Sequence, residues 1–168
     1  NLEPSITFVN ESANYLTPKG HGNVAVKIVN VPEIKVTIYK IFNNNIMAFL
    51  KNGRRYGWKS EYNETEDYWH SFNYNYFDTK RFGKAIDETS YMTKDLEKVG
   101  KVHLLNIDFN DKLPEFEGMY VVRVDAADRQ YLTDSKTFSY SDIGLIVKQN
   151  EDQIHIFANT ISTAEPIA

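Results

Sequence analysis

The fold of this chain is decided by the stretch Gly118-Met119-Tyr120-Val121-Val122-Arg123-Val124-Asp125-Ala126. Its even positions from Tyr120 to Ala126 are apolar, whereas the odd positions include Arg123 and Asp125. Successive side chains of a β-strand point to opposite faces, so this alternation is typical of a strand with one buried face. We therefore predict a half-buried strand here, as in an antiparallel sheet that packs on a core with one side.

The same alternation recurs at three other places in the chain. The apolar positions are Val24, Val26 and Ile28, then Ile34, Val36 and Ile38, and later Leu105, Ile107 and Phe109. We predict a strand at each place, and the second of them continues to about Phe42. The residues between the first two, Asn30-Val31-Pro32-Glu33, predict a hairpin turn in which Pro32 interrupts the backbone ladder.

Two shorter segments carry weaker signals. Residues 46–50 are predicted to form a short strand after the turn Asn43-Asn44-Asn45, because asparagine mimics turn hydrogen bonds with its side chain. Residues 93–99 are predicted to form a helix of about two turns, which Gly100 would end.

Apolar positions near the end of the chain face each other across the polar residues 149–152. They are Ile143, Leu145 and Val147 before the turn, and Ile154, Ile156 and Ala158 after it. This arrangement predicts a second hairpin. Many short strands separated by turns, with little helix, predict an all-β fold in which two antiparallel sheets pack as a β-sandwich.

Composition excludes several classes of function. The chain has 168 residues, enough for one well-buried core, and its net charge of −4 comes from 19 basic and 23 acidic residues mixed along the sequence. Such a mixture offers no basic face for phosphates, so we expect no nucleic-acid partner. No apolar run is long enough for a transmembrane segment, and Asn1 is read as an excision point rather than a natural start.

The residues that carry enzyme chemistry are absent or scattered. Without cysteine there is no thiolate nucleophile and no cysteine metal site. The histidines lack metal-ligand spacing, and the acidic residues between Glu61 and Asp67 lack the spacing of a calcium loop. We therefore predict no catalytic residue, no metal and no cofactor, and we expect that the chain is not an enzyme.

Residues 56–77 hold nine of the 23 aromatic residues (2 Trp, 11 Tyr and 10 Phe). We interpret residues 51–82 as an insertion between two sandwich strands. The candidate binding residues are Trp58, Tyr68, Trp69, Tyr74 and Tyr76. Alternation places Tyr74 and Tyr76 on one face of a strand, and Trp69 and Phe77 on the other. These aromatics either form a satellite core over the sandwich edge, contact a neighbouring domain, or stack on a sugar.

Several short sequence motifs follow one another along the chain in a particular order. They are residues 28–41 followed by Asn45-Ile46, then Glu117-Gly118-Met119-Tyr120, Ser141-Asp142-Ile143-Gly144-Leu145, and Thr163-Ala164-Glu165-Pro166-Ile167-Ala168. Their order resembles macroglobulin-like domains in the N-terminal half of the bacterial alpha-2-macroglobulins. The family has proline at position 117, and Gly-Lys at positions 164–165. Residues 51–82 match no phrase of the family.

The resemblance implies a macroglobulin-like domain of a broad-spectrum protease trap, in which a bait segment is cleaved before the molecule closes on the protease. It implies an extracytoplasmic location, in the periplasm or on a lipid anchor of the outer membrane, with neighbouring domains of the same type and target proteases as partners. The thioester of many members needs a cysteine, so it cannot form within this chain.

The predicted organisation is a sandwich at residues 1–140 and a hairpin at residues 141–168. This hairpin either closes the sandwich or begins the next domain. The predicted function is a non-catalytic scaffold and interaction domain. The alternative is a carbohydrate-binding or adhesive β-sandwich of a bacterial surface protein, in which the candidate aromatics would stack on sugar.

Overall fold

The computed structural model describes residues 2–9, 15–16, 23–63, 67–109, 118–129 and 131–167. The strands are β1 (Ser5–Phe8), β2 (Tyr15–Leu16), β3 (Asn23–Val29), β4 (Glu33–Ile41), β5 (Arg54–Asn63), β6 (Tyr68–Phe77), β7 (Gly83–Met92), β8 (Glu97–Val99), β9 (Val102–Asp108), β10 (Gly118–Ala126), β11 (Thr133–Tyr140), β12 (Ile143–Gln149) and β13 (Ile154–Thr160). The helices are α1 (Ile46–Asn52) and α2 (Thr79–Phe82), and single 3-10 turns occupy Asn43–Asn45 and Thr93–Asp95.

Nine of these strands form two larger sheets. One is four-stranded, in the order β1-β3-β9-β8, and the other is five-stranded, in the order β2-β11-β10-β4-β7. Neighbouring strands run antiparallel, except that β2 lies parallel to β11. The predicted antiparallel β-sandwich is therefore confirmed.

The core of the sandwich lies between the two larger sheets. Its buried residues include Val24, Val26, Ile28, Ile34, Val36, Ile38, Leu105, Ile107, Phe109, Tyr120, Val122 and Val124. These are the alternating positions from which the strands were predicted, so the assignment of the core face is confirmed. Full burial of each such side chain stabilises the fold by about 1.5–3 kcal/mol, which makes this alternation the main determinant of the architecture.

The predicted hairpin at Asn30-Val31-Pro32-Glu33 is wrong. β3 pairs with β1 and β9, whereas β4 pairs with β10 and β7, so this connection crosses from one sheet to the other. Asn30 has a φ of 51°, a left-handed conformation that asparagine tolerates. The alternation in the two strands specifies a buried face, and it does not specify which strands become neighbours.

Two predictions of local structure are also wrong. Residues 46–50 lie in α1 rather than in a strand. Its buried residue Phe49 lies three positions after Ile46, so both are on one helix face, and together they pack against the five-stranded sheet. Residues 93–99 form a 3-10 turn followed by β8 rather than a helix, and Gly100, with a φ of 64°, lies in the turn between β8 and β9.

A second cluster covers the outer face of the five-stranded sheet. Ile41 and Val121 are buried there against Phe49 of α1 and Phe82 of α2. In the sequence, β5 and β6 lie between the two helices, and they form a separate two-stranded sheet. They are thus inserted between β4 and β7, which are neighbours in the five-stranded sheet.

The predicted hairpin near the end of the chain is confirmed as β12–β13. Leu145 lies opposite Ala158, and Val147 lies opposite Ile156. The two strands form their own sheet, and within the described ranges neither is hydrogen-bonded to a strand of the sandwich.

Candidate interaction surfaces

The register of the β5–β6 hairpin separates the five candidate aromatic positions into two sets. Trp58 lies opposite Asn73 and Trp69 opposite Tyr62, on one face. Tyr68, Tyr74 and Tyr76 occupy the alternate positions, which belong to the other face. The backbone register therefore assigns the five positions to alternate faces of the two-stranded sheet. The side chains of Trp58, Tyr68, Tyr74 and Tyr76 lie outside the described residues.

The base of this hairpin is attached to the sandwich through aromatic side chains. The Phe49 ring lies 5.5 Å from the Phe77 ring and 5.9 Å from the Phe82 ring, in the latter case edge to face. The backbone N–H of Asp78 donates to the Gly53 carbonyl at 2.7 Å, and the N–H of Gly53 donates to the Phe49 carbonyl at 2.6 Å. Aromatic pairs with this spacing add stabilisation beyond the area that they bury, so the base is held firmly on the five-stranded sheet.

The tip of the hairpin exposes a pair of aromatic rings. The centroids of Tyr62 and Trp69 are 5.3 Å apart, and the two residues are 42% and 59% exposed. The Tyr62 hydroxyl donates a hydrogen bond to the carboxylate of Asp67. This hydrogen bond, with a smaller contribution from desolvation, raises the pKa of Tyr62 above its ordinary value of 10.0. Sequence reasoning missed Tyr62, because the alternation within β6 was considered without the strand that pairs with it, in which Tyr62 lies opposite Trp69.

The C-terminal hairpin exposes an apolar face. Ile143, Leu145, Val147, Ile154 and Ile156 lie on this face and are between 48% and 64% exposed. The opposite face is mixed, since the Lys148 ammonium lies 5.5 Å from the centre of the Phe157 ring. A two-stranded hairpin is only marginally stable by itself, and contiguous apolar patches of this kind mark interaction sites.

A loop after β13 fixes one end of this hairpin. The backbone N–H and the hydroxyl of Ser162 donate to the Asp142 carboxylate at 2.9 and 2.6 Å, and the N–H of Ile161 donates to the Asp142 carbonyl at 2.7 Å. The end of the hairpin near Asp142 is therefore fixed by hydrogen bonds, whereas its apolar face has no cover within the described residues.

The ionisable residues form no comparable cluster. Among the described residues, no group of three or more histidines and carboxylates is placed to hold a metal ion. His103 lies in β9 and His155 is exposed on β13, whereas His21 and the side chain of His70 fall outside the described residues. In the same part of the chain, no helix has the length and hydropathy that crossing a membrane requires.

Comparison with known proteins finds solved structures with a similar fold, at low sequence identity. No protein-family model matches the chain, and no curated protein matches it. Native alpha-2-macroglobulin from Escherichia coli spanning domains NIE-MG1 is similar, with a TM-score of 0.67 and 15% identity over 99% of this chain and 74% of that chain. The structure spanning domains MG0-NIE-MG1 gives a TM-score of 0.65 and 16% identity over 98% of this chain and 47% of that chain.

The native conformation of the E. coli protein determined by cryo-EM is also similar, with a TM-score of 0.61 and 16% identity. The match covers 98% of this chain and 10% of that chain, so this chain spans a small part of the full E. coli protein. At these identities the similarity establishes the fold, and the resemblance found in the sequence is confirmed at that level: the chain has the macroglobulin-like β-sandwich fold of the E. coli alpha-2-macroglobulin domains.

Proposed function

We propose that this chain is a non-catalytic scaffold and interaction domain of a bacterial alpha-2-macroglobulin-like protease inhibitor, and that the inhibitor acts outside the cytoplasm. Its partners are then neighbouring macroglobulin-like domains of the same polypeptide and, through the whole protein, target proteases. The observation that carries the proposal is the exposed apolar face of β12–β13 on a macroglobulin-like fold.

The exposed apolar face is best stabilised by packing against another apolar surface. Burial of an aliphatic side chain is favourable by about 1.5–3 kcal/mol, and five such side chains share this face. A neighbouring sandwich domain is the cover that fits best, because an added sheet would also supply the further strands that a two-stranded hairpin needs for stability. In this proposal residues 141–168 begin the next domain, and residues 1–140 are the sandwich with its insertion.

The composition of the core fits a scaffold. Within the described ranges, the buried residues are mostly apolar, and the buried polar residues are Thr37, Lys40, Thr79, Thr93 and Lys136.

Hydrogen exchange tests the proposed cover. Amides of β12 and β13 should exchange more slowly in the whole protein encoded by the gene than in the isolated 168-residue chain. Amides of β4, which is buried in the sandwich, serve as the control and should exchange equally in both. Equal exchange of β12 and β13 in the two samples would contradict the proposal.

The inhibitor function is tested with one protease and two substrates. A protease that is enclosed by the whole protein should lose activity towards a large protein substrate and keep its activity towards a small chromogenic peptide. Unchanged cleavage of both substrates would exclude a trap. Loss of both activities would indicate a direct active-site inhibitor instead.

Sugar binding is the second candidate function, and the exposed Tyr62–Trp69 pair favours it. A glycan array followed by affinity electrophoresis would detect it. Binding that is lost in Trp69→Ala and retained in Phe42→Ala, another exposed aromatic residue, would support this candidate over the scaffold. Absence of any glycan binding would exclude it.

A further inference from the structure

A cavity of about 570 Å³, which is open to solvent on one side, lies beside the crossover from β3 to β4. Its walls come from this crossover, from the N-terminal segment, from the 3-10 turn at Thr93–Asp95, and from the β8–β9 hairpin. Cavities of this size are typical of sites for small organic molecules.

One wall of the cavity is cationic. Lys98 lies directly opposite His103 in the β8–β9 register, so both side chains are on the same face, and Lys101 lines the cavity from the adjoining turn. The turn has two residues, and Gly100 at its first position has the positive φ of 64° that a type II′ hairpin turn requires. Glu97 belongs to the opposite face of β8 by alternation, so it does not neutralise this wall.

The ammonium groups of this wall have no anionic partner in the part of the chain that the structure describes. Neither Lys98 nor Lys101 forms an ion pair with a described residue, and the described residues that line the cavity include no carboxylate. The positive potential of two neighbouring ammonium groups is therefore directed at whatever occupies the cavity.

The other wall is held in place by hydrogen bonds. The Thr93 hydroxyl shares its one proton between the Val31 carbonyl at 2.6 Å and the Pro32 carbonyl at 2.9 Å. The Thr93 N–H donates to the Pro32 carbonyl at 3.0 Å. The side-chain amide of Asn30 donates to the carbonyl of Leu2. This wall therefore combines hydrogen-bonded backbone with the exposed apolar side chains of Leu2 and Pro32.

His103 has a feature that internal packing does not explain. Its Nδ1 atom is buried and has no hydrogen-bond partner among the described residues. Nearly all buried polar atoms in folded proteins are paired, so an unpaired one needs an explanation, and a bound ligand or water is one such explanation. The imidazole thus lies at the cationic wall without being positioned by an internal hydrogen bond.

We propose that this cavity binds a small organic anion. A carboxylate or phosphate group of the ligand lies between Lys98 and Lys101, and an apolar part of the same ligand covers Leu2 and Pro32. Ammonium groups form strong charge-assisted hydrogen bonds with such oxygens, and the apolar wall distinguishes an organic anion from an inorganic one. The site is independent of the scaffold function, which requires no ligand.

Phenyl phosphate is a suitable probe, and amide chemical shifts of the ¹⁵N-labelled chain report where it binds. Shifts should concentrate at residues 30–32, 93 and 98–103. The double variant Lys98→Gln/Lys101→Gln should weaken binding by about tenfold or more, because it removes both charge-assisted contacts. Lys80→Gln/Lys84→Gln is the matched control, since both lysines are exposed and the net charge changes by the same amount. This control should bind as the unmodified chain does.

Three other outcomes would overturn the proposal. Equal weakening in both double variants would show that net charge attracts the probe without a site. Equal binding of phenol would show that the anion is not recognised. Equal binding of inorganic phosphate would show that the apolar wall contributes nothing. All four lysines are exposed, and unchanged amide dispersion in the variants verifies that each is folded.

Discussion

Phe49 of α1 and Phe77 at the end of β6 pack with their ring centroids 5.5 Å apart. This contact joins the base of the β5–β6 hairpin to the outer face of the five-stranded sheet. From the base, ten residues of β5 extend towards the tip, roughly 30 Å away at the usual rise of a strand. The exposed Tyr62–Trp69 pair thus lies at the tip of a hairpin whose base is packed against the sandwich.

Substitution of Phe49 by alanine tests the importance of this contact. Phe49 is 2% exposed and contacts two other phenylalanine rings, so Phe49→Ala should lower the free energy of unfolding by about 3 kcal/mol, measured by urea denaturation. The control Phe42→Ala removes the same atoms from a side chain that is 42% exposed, so it should lower this free energy by clearly less. Similar losses in the two variants would show that the outer cluster contributes little.

Gly83 allows the second helix to join the sheet closely. A Cβ at this position would overlap the Lys40 carbonyl oxygen and lie 2.9 Å from the carbonyl carbon, both of them backbone atoms that cannot rotate away. Gly83→Ala should therefore cost about 2 kcal/mol or more in thermal or chemical unfolding. Gly144→Ala is the comparison, because its Cβ would meet the flexible Ile161 side chain at 3.3 Å and should cost much less. The reverse ranking would contradict this account of the β4–β7 junction.

Substitution by valine should change the free energy of unfolding differently at two threonines, because one hydroxyl is hydrogen-bonded and the other has no partner within the described ranges. The Thr93 hydroxyl is bonded to two backbone carbonyls, so Thr93→Val should lower the free energy of unfolding by about 1–2 kcal/mol. The buried Thr137 hydroxyl has no partner among the described residues, so Thr137→Val should be neutral or stabilising. Because the two substitutions are chemically identical, an equal effect on denaturation midpoints would refute the hydrogen-bond explanation.

The hydrogen bond at the hairpin tip predicts a pH dependence at alkaline pH. Only the protonated Tyr62 hydroxyl can donate to Asp67, which raises the tyrosine pKa above 10.0. The contribution of this hydrogen bond to stability is therefore fully present below pH 10.0, the ordinary pKa, and is lost as the pH rises through the raised pKa.

NMR titration of ¹³Cζ-labelled tyrosine measures this pKa, and Tyr62→Phe identifies the signal. Asp67→Ala should bring the pKa of Tyr62 back towards 10.0. Asp152→Ala removes a carboxylate from a distant exposed turn and should leave the pKa of Tyr62 unchanged. An unchanged value in Asp67→Ala would show that the carboxylate is not the cause.

The strands of the sandwich were predictable because one physical rule governs them. In the strands that contain Val26, Ile38 and Val124, buried apolar residues recur at every second position, and a strand that buries one face needs this pattern. The hairpin β12–β13 was predictable for a related reason, since its two apolar runs flank a short polar turn.

The errors have a common origin in contacts that are distant in sequence. Ile46 to Leu50 reads equally well as a short strand or as a helix, and the choice was made by Phe49 packing against Phe77 and Phe82. The candidate aromatics were equally uncertain, because alternation within β6 alone could not reveal that Tyr62 of the opposite strand lies beside Trp69.

The amino-acid sequence by itself determined that the chain folds as a β-sandwich and which side chains face the core, because burial of alternate side chains depends only on local order along each strand. Only the tertiary structure decided that β3 and β4 lie in different sheets, that Lys98 and His103 line one cavity, and that the apolar face with Leu145 has no cover within the described chain. Each of these depends on which distant segments meet, and the pattern within a single segment carries no information about its neighbours.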